Sequence, residues 1–198
     1  MAAAIGIAAI GVVSGLLGMV GFAMDLVPEK VEHATMVRIC IGLSSHEGSE
    51  MGGHTPNIAL FDAVGRKNGR SYINSEKRKV EEGAFTDIKI KGRKGAETRQ
   101  SEYISVSQGG DNAVCIAYIS MAWPDGGQRA WYGDVAKSCG QGNALGGISC
   151  YYSNTIAGDN DYKPACVWVD GDGTNGINHK GMGIHITDFT ATRERTES

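Results

Sequence analysis

The stretch VCIAYISMAWPDGGQRAWY, residues 114–132, decides the fold. Its first ten residues, Val114–Trp123, are apolar at odd and even positions alike. A strand reads that way when both of its faces are covered, so this one belongs in the middle of a sheet. Pro124, Asp125, Gly126 and Gly127 then supply turn chemistry, and Gln128–Tyr132 returns. The unit 114–132 is therefore expected to be a β-hairpin.

Outward from this hairpin the period stays near 2. Met36–Leu43 puts Val37, Ile39, Ile41 and Leu43 on one face. Asn57–Val64 puts Ile58, Leu60 and Val64 on one face and Ala59 and Phe61 on the other. Phe85–Lys91 alternates Ile88 and Ile90 with Asp87, Lys89 and Lys91, and Tyr103–Ser107 alternates Ile104 and Val106 with Ser105 and Ser107. Cys166–Val169 and Gly183–Ile186 add two more strands. The expected class is mainly β: an antiparallel β-sandwich or barrel of about seven or eight strands over residues 36–192. Residues 25–35 read as a short helical linker and 193–198 as a charged tail.

Composition agrees with this class. Of 198 residues, 41% are hydrophobic and 21% charged, which excludes a disordered chain. Gly is abundant at 29 against 4 Pro, without the G-X-Y period of collagen. A net charge of −3 excludes a chain that is basic overall and built to bind polyanions. The charge is uneven, however: residues 66–99 carry 11 Lys/Arg and 5 Asp/Glu, net +6. Anionic lipid head groups and acidic polysaccharide are the partners this stretch suggests. Nucleic acid is disfavoured, because only Tyr72 and Phe85 interleave as aromatics.

Residues 1–24 contain no charged side chain and are long enough, as a helix of about 36 Å, to cross a hydrocarbon core of about 30 Å. Two readings stand. In the favoured one the segment is a retained apolar, Gly-rich helix. Gly11 and Gly15 form a GxxxG, and Ala4/Ala8 and Ser14/Gly18 repeat the small-residue spacing that lets helices associate in lipid. In the other, residues 1–23 are a removed signal, with Gly21 and Ala23 as the small-x-small pair before Met24. Both place the remaining chain at or beyond a membrane, in a membrane, extracellular or cell-surface setting.

In such a compartment cysteines pair. Cys139 and Cys166 are the favoured partners, closing a loop worth about 3–4 kcal/mol; Cys40 and Cys115, inside apolar strands, read as buried thiols. The segments 111–140 (DNAVCIAYISMAWPDGGQRAWYGDVAKSCG) and 162–189 (YKPACVWVDGDGTNGINHKGMGIHITDF) resemble secreted or surface proteins of filamentous fungi. The resemblance implies an extracellular β-domain with a Cys139–Cys166-type bridge, and it assigns no catalytic residue.

The chemistry-bearing clusters are few. Asp170 and Asp172, with Asp159 and Asp161, are weak calcium candidates, but the twelfth place of the loop holds Gly181 where an EF-hand needs Glu. Their other reading is an Asp/Gly turn whose carboxylates accept backbone N–H groups. His46, Glu47, Glu50 and His54 lack HExxH spacing. His185 points away from the face of Ile184 and Ile186, to a surface or interface. No nucleophile elbow, P-loop or dinucleotide fingerprint occurs. Trp123, Trp131, Tyr132 and Trp168, with Tyr151, Tyr152 and Tyr162, are the ligand-binding candidates, as sugar-stacking platforms or, alternatively, as core.

The favoured function is thus a non-enzymatic, membrane-tethered homo-oligomer assembled through Ala4, Ala8, Gly11, Ser14, Gly15 and Gly18, with no cofactor. The alternatives are a secreted cell-wall or effector-like binder lacking residues 1–23, a pore-former that inserts the Gly-rich helix, and a polysaccharide-active enzyme using paired Asp residues.

Overall fold

A computed structural model describes residues 27–44, 50–71, 78–135, 162–174, 177 and 180–189. The apolar segment 1–24, the tail 193–198 and Cys139 lie outside these residues. Eleven strands are present among the described residues: β1 (Ala34–Ile41), β2 (Gly53–His54), β3 (Asn57–Phe61), β4 (Lys67–Ser71), β5 (Lys79–Val80), β6 (Phe85–Lys91), β7 (Tyr103–Ser107), β8 (Val114–Ala122), β9 (Gln128–Tyr132), β10 (Val167–Val169) and β11 (Gly181–His185). A 3-10 turn, Ile186–Phe189, follows β11.

The protein is mainly β and antiparallel, as its alternation requires. One sheet runs β10-β8-β1-β6, with β9 also paired to β8; a second runs β11-β7-β3-β4; β2 and β5 form a short ribbon. All nine residues of β8 are buried. It is the hub of its sheet, pairing β1 along its length, β10 through Val114–Ile116 and β9 through Tyr118–Ala122. The hairpin closes as expected: Trp123 N–H donates to the Gly127 carbonyl at 2.8 Å, and Gly126 N–H to the Trp123 carbonyl at 3.0 Å.

Val37, Ile39 and Ile41 of β1, Ile88 and Ile90 of β6, Ile58 and Leu60 of β3, Ile104 and Val106 of β7 and Ile184 of β11 share one core cluster with Ile116, Ile119 and Met121 of β8. The two large sheets thus bury their alternating apolar residues against each other. Close approach at one corner is permitted by Gly69. A Cβ there would sit 2.8 Å from Ile90 Cγ2 and 2.8 Å from the Lys91 carbonyl oxygen. An isolated bridge, Gly69 to Gly92, joins the sheets at that point.

Two expectations need correction. Residues 27–35 are not a helical linker. Val31 bridges Ala34 around a turn, His33 has φ of 56°, and β1 starts at Ala34. Eleven strands replace the seven or eight expected, because β2, β4 and β5 carry no apolar alternation to read.

The disulfide also differs from expectation. Cys166 pairs with Cys115, their Cα atoms 5.4 Å apart, and not with Cys139. Strand pairing sets this. Trp168 lies opposite Cys115 and Val167 opposite Ile116, so the start of β10 brings Cys166 onto β8. Gly42, just after β1, leaves room for the bridge, since a Cβ there would meet the Cys166 sulfur at 2.6 Å. Cys40 is a buried free thiol, as expected.

Candidate binding face

The outer face of the four-stranded sheet follows directly from period 2. Ile58, Leu60, Ile104, Val106 and Ile184 point into the core, so Asn57, Ala59, Phe61, Tyr103, Ser105, Ser107, Gly181, Gly183 and His185 fall on the other side. The register aligns them in rows across the strands. Phe61 lies opposite Tyr103, Tyr103 opposite His185, and Phe61 opposite Lys67 on β4. One row is therefore Lys67, Phe61, Tyr103, His185. The next holds Arg70, Ala59, Ser105 and Gly183.

The ring row stands up from a low floor. Tyr103 is 40% exposed, and its ring stacks on His185 with centroids 4.4 Å apart. The Lys67 ammonium sits 5.7 Å from the Phe61 ring centroid, within cation–π range. Beside the rings, Ala59, Ser105 and Gly183 project little, and the space above Gly183 is open to at least 4 Å. The two ends of the row differ in charge. Lys67 marks the β4 end. At the β11 end, His185 Nδ1 pairs with Asp188 at 2.7 Å, and its Nε2 lies 2.9 Å from Thr187 Oγ1 and 3.6 Å from Glu102.

Threonine, histidine and aspartate on those atoms resemble a nucleophile–base–carboxylate arrangement. The hydrogen bond to Asp188 raises the His185 pKa, and Glu102 adds to the effect.

The other face of the five-stranded sheet is covered over β1 and β8, whereas Phe85, Asp87, Lys89 and Lys91 on β6 are exposed. Arg38 is buried on β1, opposite Asp87, and its guanidinium donates two 2.7 Å hydrogen bonds to that carboxylate. It also lies 3.9 Å from the centroid of the Phe85 ring. Burial pushes the neighbouring Cys40 thiol up to about 11, which leaves it unreactive at neutral pH. Tyr118, Tyr132 and Tyr162 pack edge-to-face on this side.

Of the two readings of the aromatics, sugar platform or core, the described ones take the second. Trp123 is fully buried, Trp131 and Tyr132 are buried, and Trp168 is half-buried against the core. Trp123 does not face Trp131 across the hairpin, for Trp131 lies opposite Ile119. These rings fill the interior, where their large apolar area contributes most. Tyr151 and Tyr152 lie outside the described residues.

Asp159 and Asp161 also lie outside them. Asp170 is buried, and its Oδ1 accepts from Asp172 N–H at 3.3 Å; Asp172 accepts from both N–H and Oγ1 of Thr174, which lowers its pKa. Both carboxylates thus serve a turn. Among the described residues no group of three or more His, Cys, Asp or Glu is placed to hold a metal. His46 and Glu47 lie outside them, Glu50 is exposed, and His54 Nδ1 accepts the Asn112 N–H at 3.1 Å.

The basic stretch is divided. Lys67 and Arg70 lie on β4, Lys79 on β5, and Lys89 and Lys91 on β6, strands of three different sheets. Among the described residues no helix is long and apolar enough to cross a membrane. Neither the protein-family models nor the curated proteins give a match to this chain.

Proposed function

We propose that the chain is a non-enzymatic, homo-oligomeric binding protein, an antiparallel β-sandwich held at a membrane or cell surface by its apolar residues 1–24. The observation that carries this reading is the Cys115–Cys166 bridge inside the core. Such bridges form and persist in oxidising compartments, so the β-domain belongs outside the cytosol. The uncharged N-terminal segment supplies the route there, and its small-residue spacing supplies a helix–helix contact.

Sequencing the N-terminus of protein isolated from its source tests this. A chain that starts at Met1 or Ala2 and partitions with detergent supports the tether. A chain that starts near Met24 replaces it with a second reading, a secreted soluble binder. The row of the exposed Tyr103 and the half-buried Phe61 and His185 favours that second reading, since rings on a sheet face suit sugar. Retention on insoluble glucan, lost on Tyr103→Ala, would support it.

A further inference from the structure

We propose that the outer face of the four-stranded sheet docks on the same face of a second copy, about a twofold axis that runs along the strands. This rests on the homo-oligomer reading above and adds to it a second contact, within the β-domain.

The argument is one of charge and order. A twofold axis lying in the face can run along the strands or across them. Across them, β4 would cover β4, and an axis on the ring row would set Lys67 against Lys67. Along them, β4 covers β11 and β3 covers β7. The row Lys67, Phe61, Tyr103, His185 then meets itself reversed. Phe61 faces the second copy's Tyr103, and Lys67 faces the second copy's His185 with its carboxylates Glu102 and Asp188. Even with His185 protonated, that end carries net negative charge. A patch that is complementary to itself in this way is what an isologous interface requires. In the next row Ala59 and Ser105 project little, and the exposed Arg70 falls over the second copy's Gly183, above which the space is open.

The size of the face says how the contact works. Four strands about 4.8 Å apart and five residues of about 3.4 Å each give about 300 Å². A stable interface uses about 800 Å² per partner. The face alone is therefore a weak contact, formed between copies already held close. The N-terminal segment would provide that proximity as a raised effective concentration.

Sedimentation of the full chain in detergent, with Lys67→Glu and Asp188→Lys, tests the pairing. Each variant alone puts like charges across both symmetry-related contacts and weakens association by about tenfold. An equimolar mixture of the two restores it, because each contact again joins opposite charges. Rescue by mixing cannot come from a change within one chain. Glu102→Lys replaces Asp188→Lys if the latter lowers the melting temperature.

Gly15→Leu separates the two readings. Association lost on Gly15→Leu but unchanged by either charge variant, or not restored on mixing, overturns the face contact and leaves the helix reading intact. Loss on the charge variants with rescue on mixing, but no effect of Gly15→Leu, supports the face and removes the helix. A wild-type chain that stays monomeric but is retained by glucan through Tyr103 overturns the face contact in favour of sugar binding.

Discussion

The two large sheets share one core and differ in their far sides. In the five-stranded sheet, β8 is buried at every position, and the far side holds a buried thiol, a buried Arg38 paired with the exposed Asp87, three tyrosines and, on β6, the exposed Phe85. In the four-stranded sheet, alternate residues lie half-buried or exposed on the far side, and three strands carry rings there, of which Tyr103 is exposed. The first sheet serves stability except on the outer side of β6. The second uses one face for stability and keeps the other available. Substitutions should separate the two by size of effect.

The largest effect is expected at the bridge. Replacing Cys115 and Cys166 together by Ala removes a crosslink with a sequence separation of 51, worth about 4 kcal/mol in the loop-entropy model, and chemical denaturation would read it. A loss under 1 kcal/mol would mean that β10 is held by its packing alone. Next comes Ile119→Ala on β8, expected to cost about 3 kcal/mol, against Ser105→Ala on the outer face of β7, expected within about 0.5 kcal/mol. Equal effects would break the distinction between the sheets.

Two of the ion pairs give a smaller version of the same contrast. Asp87→Ala leaves the buried Arg38 without its carboxylate and should cost about 2 kcal/mol. Arg66→Ala removes an exposed partner of Asp62 and should cost less than about 1 kcal/mol.

The smallest effect is a titration. The His185 pKa is raised in the folded state, so its link to Asp188 is fully present below about pH 6.5 and fades as pH rises through the folded value. A proton NMR titration should place the His185 midpoint above 6.5, and Asp188→Asn should lower it. An unchanged midpoint would show that the 2.7 Å contact does not persist in solution.

The strands that build the core were legible because each carries its own signal. β6, β7 and β9 begin and end where the alternation and the turn residues place them. β4 was not legible. Its KNGRS has no apolar alternation, and what makes it a strand is the pairing of Gly69 with Leu60 and the space Gly69 leaves for Ile90. Both are long-range facts.

The same divide explains the site. The alternation alone puts Phe61, Tyr103 and His185 on the side opposite the core residues of their own strands. Which strands are neighbours is not local information, so the three rings could not be joined into one row. For the tryptophans residue type left packing and binding both open, and burial chose packing. Cys166 misled. Cys115, inside an apolar strand, reads as a buried thiol, which left Cys139 as the partner; strand adjacency chose Cys115.

The central claim, a bridged β-domain folded outside the cytosol around β8, is met most directly by a non-reducing peptide map of the protein from its native source. The account predicts a peptide pair joined through Cys115 and Cys166, with Cys40 alkylated only after unfolding. Reduced thiols at both positions, or Cys166 joined to Cys139, would contradict it.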